Sequence, residues 1–226
     1  MKVGYRFAVI VAGGQGTRMQ NDVPKQFIQI LGKPVLVYTI ESFLKAGVDV
    51  LVLVLAKKYF ERWKSIKEKW LPNYTIQLVE GGDNRFHSVR NGLKGLDGGG
   101  IVAIHDAARP CVSIRLINSS FEAASVYKSA VAAVALKDSI REKSGITTIS
   151  RDRSNYYLIQ TPQTFDINLL KKAYRQPHCL RFTDDASVVD SDGHAVHLIE
   201  GSYGNIKITT DEDLDLARFF LSENLA

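Results

Sequence analysis

Near its start the chain reads Ala12-Gly13-Gly14-Gln15-Gly16-Thr17-Arg18-Met19, followed shortly by Pro24-Lys25-Gln26. Glycine lacks a Cβ, so its backbone N–H groups can close on a polyphosphate without a steric clash. Arg18 inside the loop and Lys25 beyond it add two cations. Such charges stabilise the negative charge that develops on a phosphorus under attack, where preorganised electrostatics counts most. Two familiar phosphate loops fail here. A Walker-type loop requires Lys directly after its last glycine, but Thr17 follows Gly16. A dinucleotide fingerprint fits Gly14 and Gly16 but meets Met19 where a third, helix-packing glycine belongs. The bland alternative is a strand-to-helix turn with solvated basic residues. Arg18 together with Pro-Lys-Gln weighs against it.

Other clusters bear chemistry further along. Gly82-Asp83 presents a carbonyl and a carboxylate, and Ser88 adds a hydroxyl. Acceptors so placed suit the exocyclic amine of cytosine, which donates, over the carbonyl of uracil. The alternative job for Asp83 is to cap a helix over residues 86–93. His105-Asp106-Ala107-Ala108-Arg109-Pro110 follows a strand-like run, and ligands of open α/β sheets bind beyond such strand ends. Asp106 suits the hydroxyls of an acceptor or a magnesium ion, and the fork of Arg109 suits a phosphate. His105 reads as a structural hydrogen-bonder. Lys207 is expected on a strand over 205–208, reaching phosphates from the far side or simply exposed. Asp184 and Asp185 read as helix-start residues; with Asp190 and Asp192 they lack the spacing of an EF-hand loop.

Alternating elements are expected to position these groups. Apolar strand runs fall at 7–12, 50–56, 76–80, 101–105 and 130–136, and helical spacing at 35–46, 60–70, 86–93 and 114–127. Strands alternating with helices imply βαβ units and a mostly parallel sheet. Residues 137–160 break that rhythm with polar and charged side chains around Ser144-Gly145, and read as a β-hairpin leaving the main sheet. Helices near 166–175 and 184–190, strands near 195–199 and 205–208, and a last helix from Asp211 follow. The sequence of 226 residues suits one domain, 1–226, with 137–160 as an inserted arm.

Composition narrows the classes. A hydrophobic share of 45% with 23% charged residues is that of a folded globular chain, not a disordered one. The net charge of +5 favours anionic partners, but the basic residues form no stripe with aromatics, so no nucleic acid is expected. Cys111 and Cys179 make neither a disulfide framework nor a metal set. No membrane span and no signal peptide are read, and the cytoplasm is the expected compartment.

Taken together, A-G-G-x-G-x-R-M with P-K-Q resembles the signature of sugar-phosphate nucleotidyltransferases, in particular the 2-C-methyl-D-erythritol 4-phosphate cytidylyltransferases of the non-mevalonate isoprenoid pathway. Further matching blocks lie in order at 81–89, 105–110, 138–139, 161–163, 183–187 and 205–209. The resemblance implies a doubly wound α/β domain of the nucleotide-diphospho-sugar transferase type, whose β-arm exchanges across a homodimer. It implies CTP and a polyol phosphate as substrates, with Mg²⁺ or another divalent cation. Arg18, Lys25 and Lys207 would then be catalytic; Ala12, Gly13, Gly14, Gly16, Gly82, Asp83, Arg85, Ser88 and Ala107 would bind the nucleotide. Asp106, Arg109, Ser139, Arg153 and Thr161 would bind the acceptor, with Asp106 also a candidate metal ligand. Ser139 replaces the more usual Thr and keeps its hydroxyl; Gly13 and Val11 stand where many members have Ala and Pro. Ribitol 5-phosphate is the rival acceptor, although the second alanine of 105–110 looks more like the methylerythritol branch. From another class, a non-catalytic nucleotide-binding module would explain the loop but not the retention of all three cations.

Overall fold

A computed structural model describes residues 4–12 and 23–223 of the chain. The first strand, β1 (Tyr5–Val11), leads into the glycine loop, whose residues 13–22 lie outside the described part. Two-residue strands β2 (Gln29–Ile30) and β3 (Lys33–Pro34) form a small antiparallel ribbon ahead of helix α1 (Val35–Lys45). There follow β4 (Val50–Leu55), α2 (Phe60–Trp70), β5 (Gln77–Glu80), α3 (Arg85–Lys94), β6 (Gly100–Asp106), α4 (Ile114–Tyr127) and β7 (Ser129–Ala135). After the hairpin β8 (Ile140–Ser144) and β9 (Thr147–Arg151) come β10 (Tyr157–Asp166), α5 (Ile167–Ala173), α6 (Asp185–Ser191), β11 (Leu198–Glu200) and α7 (Asp211–Glu223).

Among the described residues the main sheet has seven strands in the order β11-β7-β10-β6-β1-β4-β5. β1 runs parallel to β4 and β6, β4 to β5, and β7 to β11, whereas β10 is antiparallel to both its neighbours. The sheet is therefore mostly parallel, with helices on both faces. β1 shows why its sequence is apolar throughout. Ala8 and Ile10 face the core built with Leu36, Ile40 and Phe43 of α1, Trp63 of α2 and Phe121 of α4. Phe7 and Val9 face the opposite core with Phe86 and Val89 of α3, Leu170 of α5 and Val189 of α6. Side chains alternate between faces with period two, so a strand covered on both sides needs apolar residues at every position. Gly92 lets α3 lie close on this sheet: a Cβ there would fall 2.7 Å from Val9 Cγ1 and 2.8 Å from Val54 Cγ2.

Three expectations change. Residues 157–166 form a long strand, β10, so the excursion from the main sheet is shorter than 137–160. Pro162, Gln160, Gln163, Thr161 and Thr164 mask the apolar run, and the register shifts between Ile159 and Gln163, where Pro162 has no N–H to contribute. Residues 205–208 are not a strand. The Ile208 N–H donates to the Ala108 carbonyl at 2.9 Å, and the turn from Ser202 to Asn205 sets the approach. The strand expected over 195–199 begins at Leu198.

The hairpin does leave the main sheet. Among the described residues β8 and β9 pair only with each other, and every residue of β9 is exposed. Gly145, at φ +61° in the connecting turn, adopts a left-handed conformation that glycine tolerates at no steric cost. Helix starts follow the local chemistry. The Asp184 carboxylate accepts from Ser187 N at 2.9 Å while Ser187 Oγ accepts from Asp184 N, a reciprocal cap for α6. The acidic first turn of α7 begins at Asp211 as its sequence predicts.

Candidate active site

A cleft of about 490 Å³ opens beyond the carboxyl ends of β1, β4, β5 and β6. The chain moves outward from β1 to β4 and β5, then returns to β6 on the other side of β1, so the cleft lies at a topological switch point. Ala12, Lys25, Gly82, Asp83, Arg85, Ser88, Asp106, Ala107 and Lys207 all line it. Gly13, Gly14, Gly16 and Arg18 lie outside the described residues.

One wall is the loop from Gly81 to the start of α3. Asn84, not Asp83, caps that helix: its side chain accepts from His87 N at 2.9 Å. The exposed Asp83 carboxylate is thereby released from the capping role considered above. Ser88 is buried, and its Oγ accepts from Gly82 N at 3.1 Å and contacts Gly82 O at 3.4 Å. That hydroxyl braces the loop it was expected to extend towards a base. The loop is compact; a Cβ on Gly82 would lie 2.4 Å from the Cβ of His87.

At the end of β6, Asp106 gathers cations from three separate segments. Lys207 Nζ lies 2.7 Å from Oδ2, Arg85 Nε 3.4 Å from Oδ1, and Arg109 Nε 4.0 Å from Oδ2. Burial opposes ionisation of Asp106, but Arg85 and Lys207 outweigh it and hold the carboxyl well below the usual carboxylate range. Burial likewise disfavours the charged form of Arg85, yet Asp185 and Asp106 keep its guanidinium firmly protonated. Arg109 is held on its other side, with Nη1 donating to the Asn205 carbonyl at 2.7 Å. Both oxygens of Asp106 already face cations. Among the described residues no group of three or more His, Cys, Asp or Glu side chains is placed to hold a metal. In the structure Asp106 serves as an anchor for cations.

Thr161, on β10, is buried behind Asp106 and outside the cleft lining, and its Oγ1 accepts from Asp106 N at 3.1 Å. His105 is buried against Phe43, with Nε2 at 3.2 Å from the Arg109 carbonyl, and burial pushes its pKa down to about 3. It is the structural hydrogen-bonder that its setting implies. Ser139 and Arg153 are not brought to the cleft within this chain. Both belong to the arm, where the Arg153 guanidinium donates to the Lys137 carbonyl.

Four contributors carry little signal in the sequence. Gln26 is buried and donates through Nε2 to the Ala12 carbonyl at 2.9 Å, tying together the two flanks of the glycine loop. Its place directly after Lys25 was the available signal. Lys58 and Tyr59 line the cleft from the turn after β4, and nothing in their local pattern marks them. Asp185 was read only as a helix-start residue. It is fully buried and accepts from Arg85 Nη2 and from the Tyr174 hydroxyl, each at 2.6 Å. A second Asp beside one that already caps α6 was the clue.

Comparison with known proteins places this geometry. The sequence profile of the 2-C-methyl-D-erythritol 4-phosphate cytidylyltransferase family matches residues 7–223. A relative so named from Bacteroides fragilis is 44% identical over 219 residues, covering 96% of this chain and 99% of its own. Another from Bacteroides thetaiotaomicron is 41% identical over 214 residues, covering 94% and 98%. Among solved structures, 4-diphosphocytidyl-2C-methyl-D-erythritol synthase from Anaerococcus prevotii superposes with a TM-score of 0.83 at 30% identity, covering 96% of this chain and 98% of that one. The Francisella tularensis 2-C-methyl-D-erythritol 4-phosphate cytidylyltransferase gives 0.77 at 30% identity, covering 96% and 99%.

Proposed function

The chain belongs to the 2-C-methyl-D-erythritol 4-phosphate cytidylyltransferase family, and on that premise we propose that it transfers the cytidylyl group of CTP to 2-C-methyl-D-erythritol 4-phosphate, releasing pyrophosphate, in isoprenoid precursor synthesis in the cytoplasm. The observation that carries this reading is the convergence of Arg85, Arg109 and Lys207 on Asp106, beside the loop holding Gly82 and Asp83. A base-reading edge and an anion-binding cluster thus share one cleft.

The nucleophile is a phosphate oxygen of the acceptor, already ionised at neutral pH, so neither a covalent intermediate nor a general base is required. Catalysis rests on positioning and on charge stabilisation. Lys25 and Lys207 face the phosphates, a task that the resemblance also gives to Arg18; Asp83 and the Gly82 carbonyl select cytosine; Arg109 takes the acceptor phosphate. A divalent cation such as Mg²⁺ would neutralise part of the charge of the triphosphate. Ser139 and Arg153 enter a neighbouring subunit's cleft in a homodimer with exchanged arms. Exposed Tyr156, Tyr157, Leu158 and Ile159 at the arm's foot support such a contact.

Incubation with CTP, Mg²⁺ and either methylerythritol phosphate or ribitol 5-phosphate, with pyrophosphate as the readout, tests the reading. Release is expected with the first. Release with ribitol phosphate alone would reassign the acceptor, and release with neither would favour a binding module.

A further inference from the structure

Asp106 offers two carboxylate oxygens to three cations, and their division among those cations has a visible cause. Arg85 makes its short contact, 2.6 Å, with Asp185 and only a long one, 3.4 Å, with Asp106. Lys207 in turn sits 2.7 Å from Asp106. We propose that Asp185 is a positioning residue for cytidylyl transfer: it draws the Arg85 guanidinium off Asp106 and thereby leaves Asp106 Oδ2 to hold Lys207 in the cleft.

Asp185 is well fixed for that task. Its backbone N–H donates to Gln163 Oε1 at 2.9 Å, its Oδ1 accepts the Tyr174 hydroxyl at 2.6 Å, and it lies in the first turn of α6, which Asp184 caps. Arg85 is the first residue of α3, directly after the loop carrying Gly82 and Asp83. One ionic chain, Asp185–Arg85–Asp106–Lys207, therefore runs from the core beneath α3 and α6 to the mouth of the cleft. Stability alone is a weak reason for it, because a buried ion pair often contributes no more than well-packed apolar side chains of the same volume. Geometry supplies a better reason. An unopposed guanidinium favours a bidentate fork on a carboxylate. Without Asp185, Arg85 closes on Asp106 with both arms and competes for the oxygen that Lys207 uses.

Charge sharpens the expectation. Arg85, Arg109 and Lys207 face two carboxylates, Asp106 and Asp185, so neutralising Asp185 makes the cluster more positive. Ground-state attraction for an anionic acceptor then holds or rises while the orientation of Lys207 is lost.

This inference rests on the proposed transferase activity, and wild-type turnover is measured first. With the full chain, Asp185→Asn is expected to lower kcat at least tenfold with the acceptor KM unchanged or reduced, and CTP KM within threefold. Tyr174→Phe, which removes one hydrogen bond to Asp185 but keeps its charge, is expected to stay within threefold of wild type. The deciding measurement is Asp185→Asn in a Lys207→Met background, where kcat should change by less than twofold because the side chain that Asp185 positions is gone. Independent, multiplying losses in the double variant would overturn the proposal, as would an Asp185→Asn enzyme within twofold of wild-type kcat. If D185N does not fold, D185S is measured in its place: it too removes the carboxylate that draws Arg85, and retention of wild-type kcat overturns the inference. Absence of wild-type release with methylerythritol phosphate overturns the functional reading together with this one.

Discussion

The base of the cleft and the β8–β9 arm use the same kinds of side chain under opposite conditions. At the cleft, Arg85, Asp106 and Asp185 are buried or nearly so, and each charge meets another from a distant part of the chain. On the arm, Arg151 pairs with Glu142 and Arg141 bonds Thr148, all within one hairpin and all exposed. Exposed pairs contribute about 0–1 kcal/mol, whereas breaking a buried pair typically costs about 3–5 kcal/mol. The first region carries its specificity inside the chain. The second acquires a fixed environment only against something else, which is why the proposed dimer assigns it Ser139 and Arg153.

The strongest test of this contrast removes a cleft cation. Lys207→Met or Lys25→Ala is expected to lower turnover by about 10²–10³-fold, with cytidine affinity falling less, as read from steady-state kinetics and nucleotide titration. Near-normal turnover in both would break the assignment of the cluster to catalysis. Next in size is Arg153→Ala. It should cut kcat/KM for the acceptor by roughly 10–100-fold, in line with loss of a charge-assisted phosphate contact, with CTP affinity unchanged. Mixing it with Lys207→Met protein should restore part of the activity if the arm acts across subunits. Two impaired homodimers that stay as impaired on exchange would confine Arg153 to its own chain.

Acid probes the cleft floor. His105 is neutral in the fold with its pKa pushed down to about 3, against an ordinary 6.5. Below that ordinary value the unfolded chain binds a proton that the native chain refuses, so stability falls as pH drops towards 3, by up to about 1.4 kcal/mol per pH unit. The depressed Asp106 adds to the loss only below its unfolded pKa, since its stabilising charge is fully present above that point. Thermal melts from pH 7 to 4 should show the decline, and His105→Gln should flatten it above pH 5. The smallest effects come from one substitution made in both regions. Gly92→Ala forces a methyl against Val9 and Val54 and should cost about 1–3 kcal/mol. Gly145→Ala meets no atom within 4 Å and should cost only about 1 kcal/mol, from its positive φ. Denaturant melts compare the two.

Much of this was legible before any coordinates. The apolar runs, the helix spacing and the polar clusters at strand ends place β1, β4, β6 and the cleft correctly, because local pattern and global layering agree there. What escaped notice depends on contacts between distant segments. β10 is hidden by Pro162 and its glutamines and threonines, whose polar atoms are satisfied by partners such as Asp184, Asp106 and Asn205. Asp185 looks like any helix-start acid until Arg85, 100 residues earlier, is folded against it. Lys207 is assigned to the site by the resemblance of residues 205–209, but on the wrong backbone, since one hydrogen bond at Ile208 is not a ladder.

β10 has a mechanical consequence. It starts at the foot of the arm with Tyr157 and reaches Thr161, behind Asp106, at most about 14 Å away along the chain. Tyr157–Ile159 pair with β7 and Gln163–Asp166 with β6, and the register shift between Ile159 and Gln163 leaves Thr161 on the stretch between these two paired segments. The Thr161 hydroxyl ties that stretch to the Asp106 amide, so the arm and the cleft are joined by one short piece of chain.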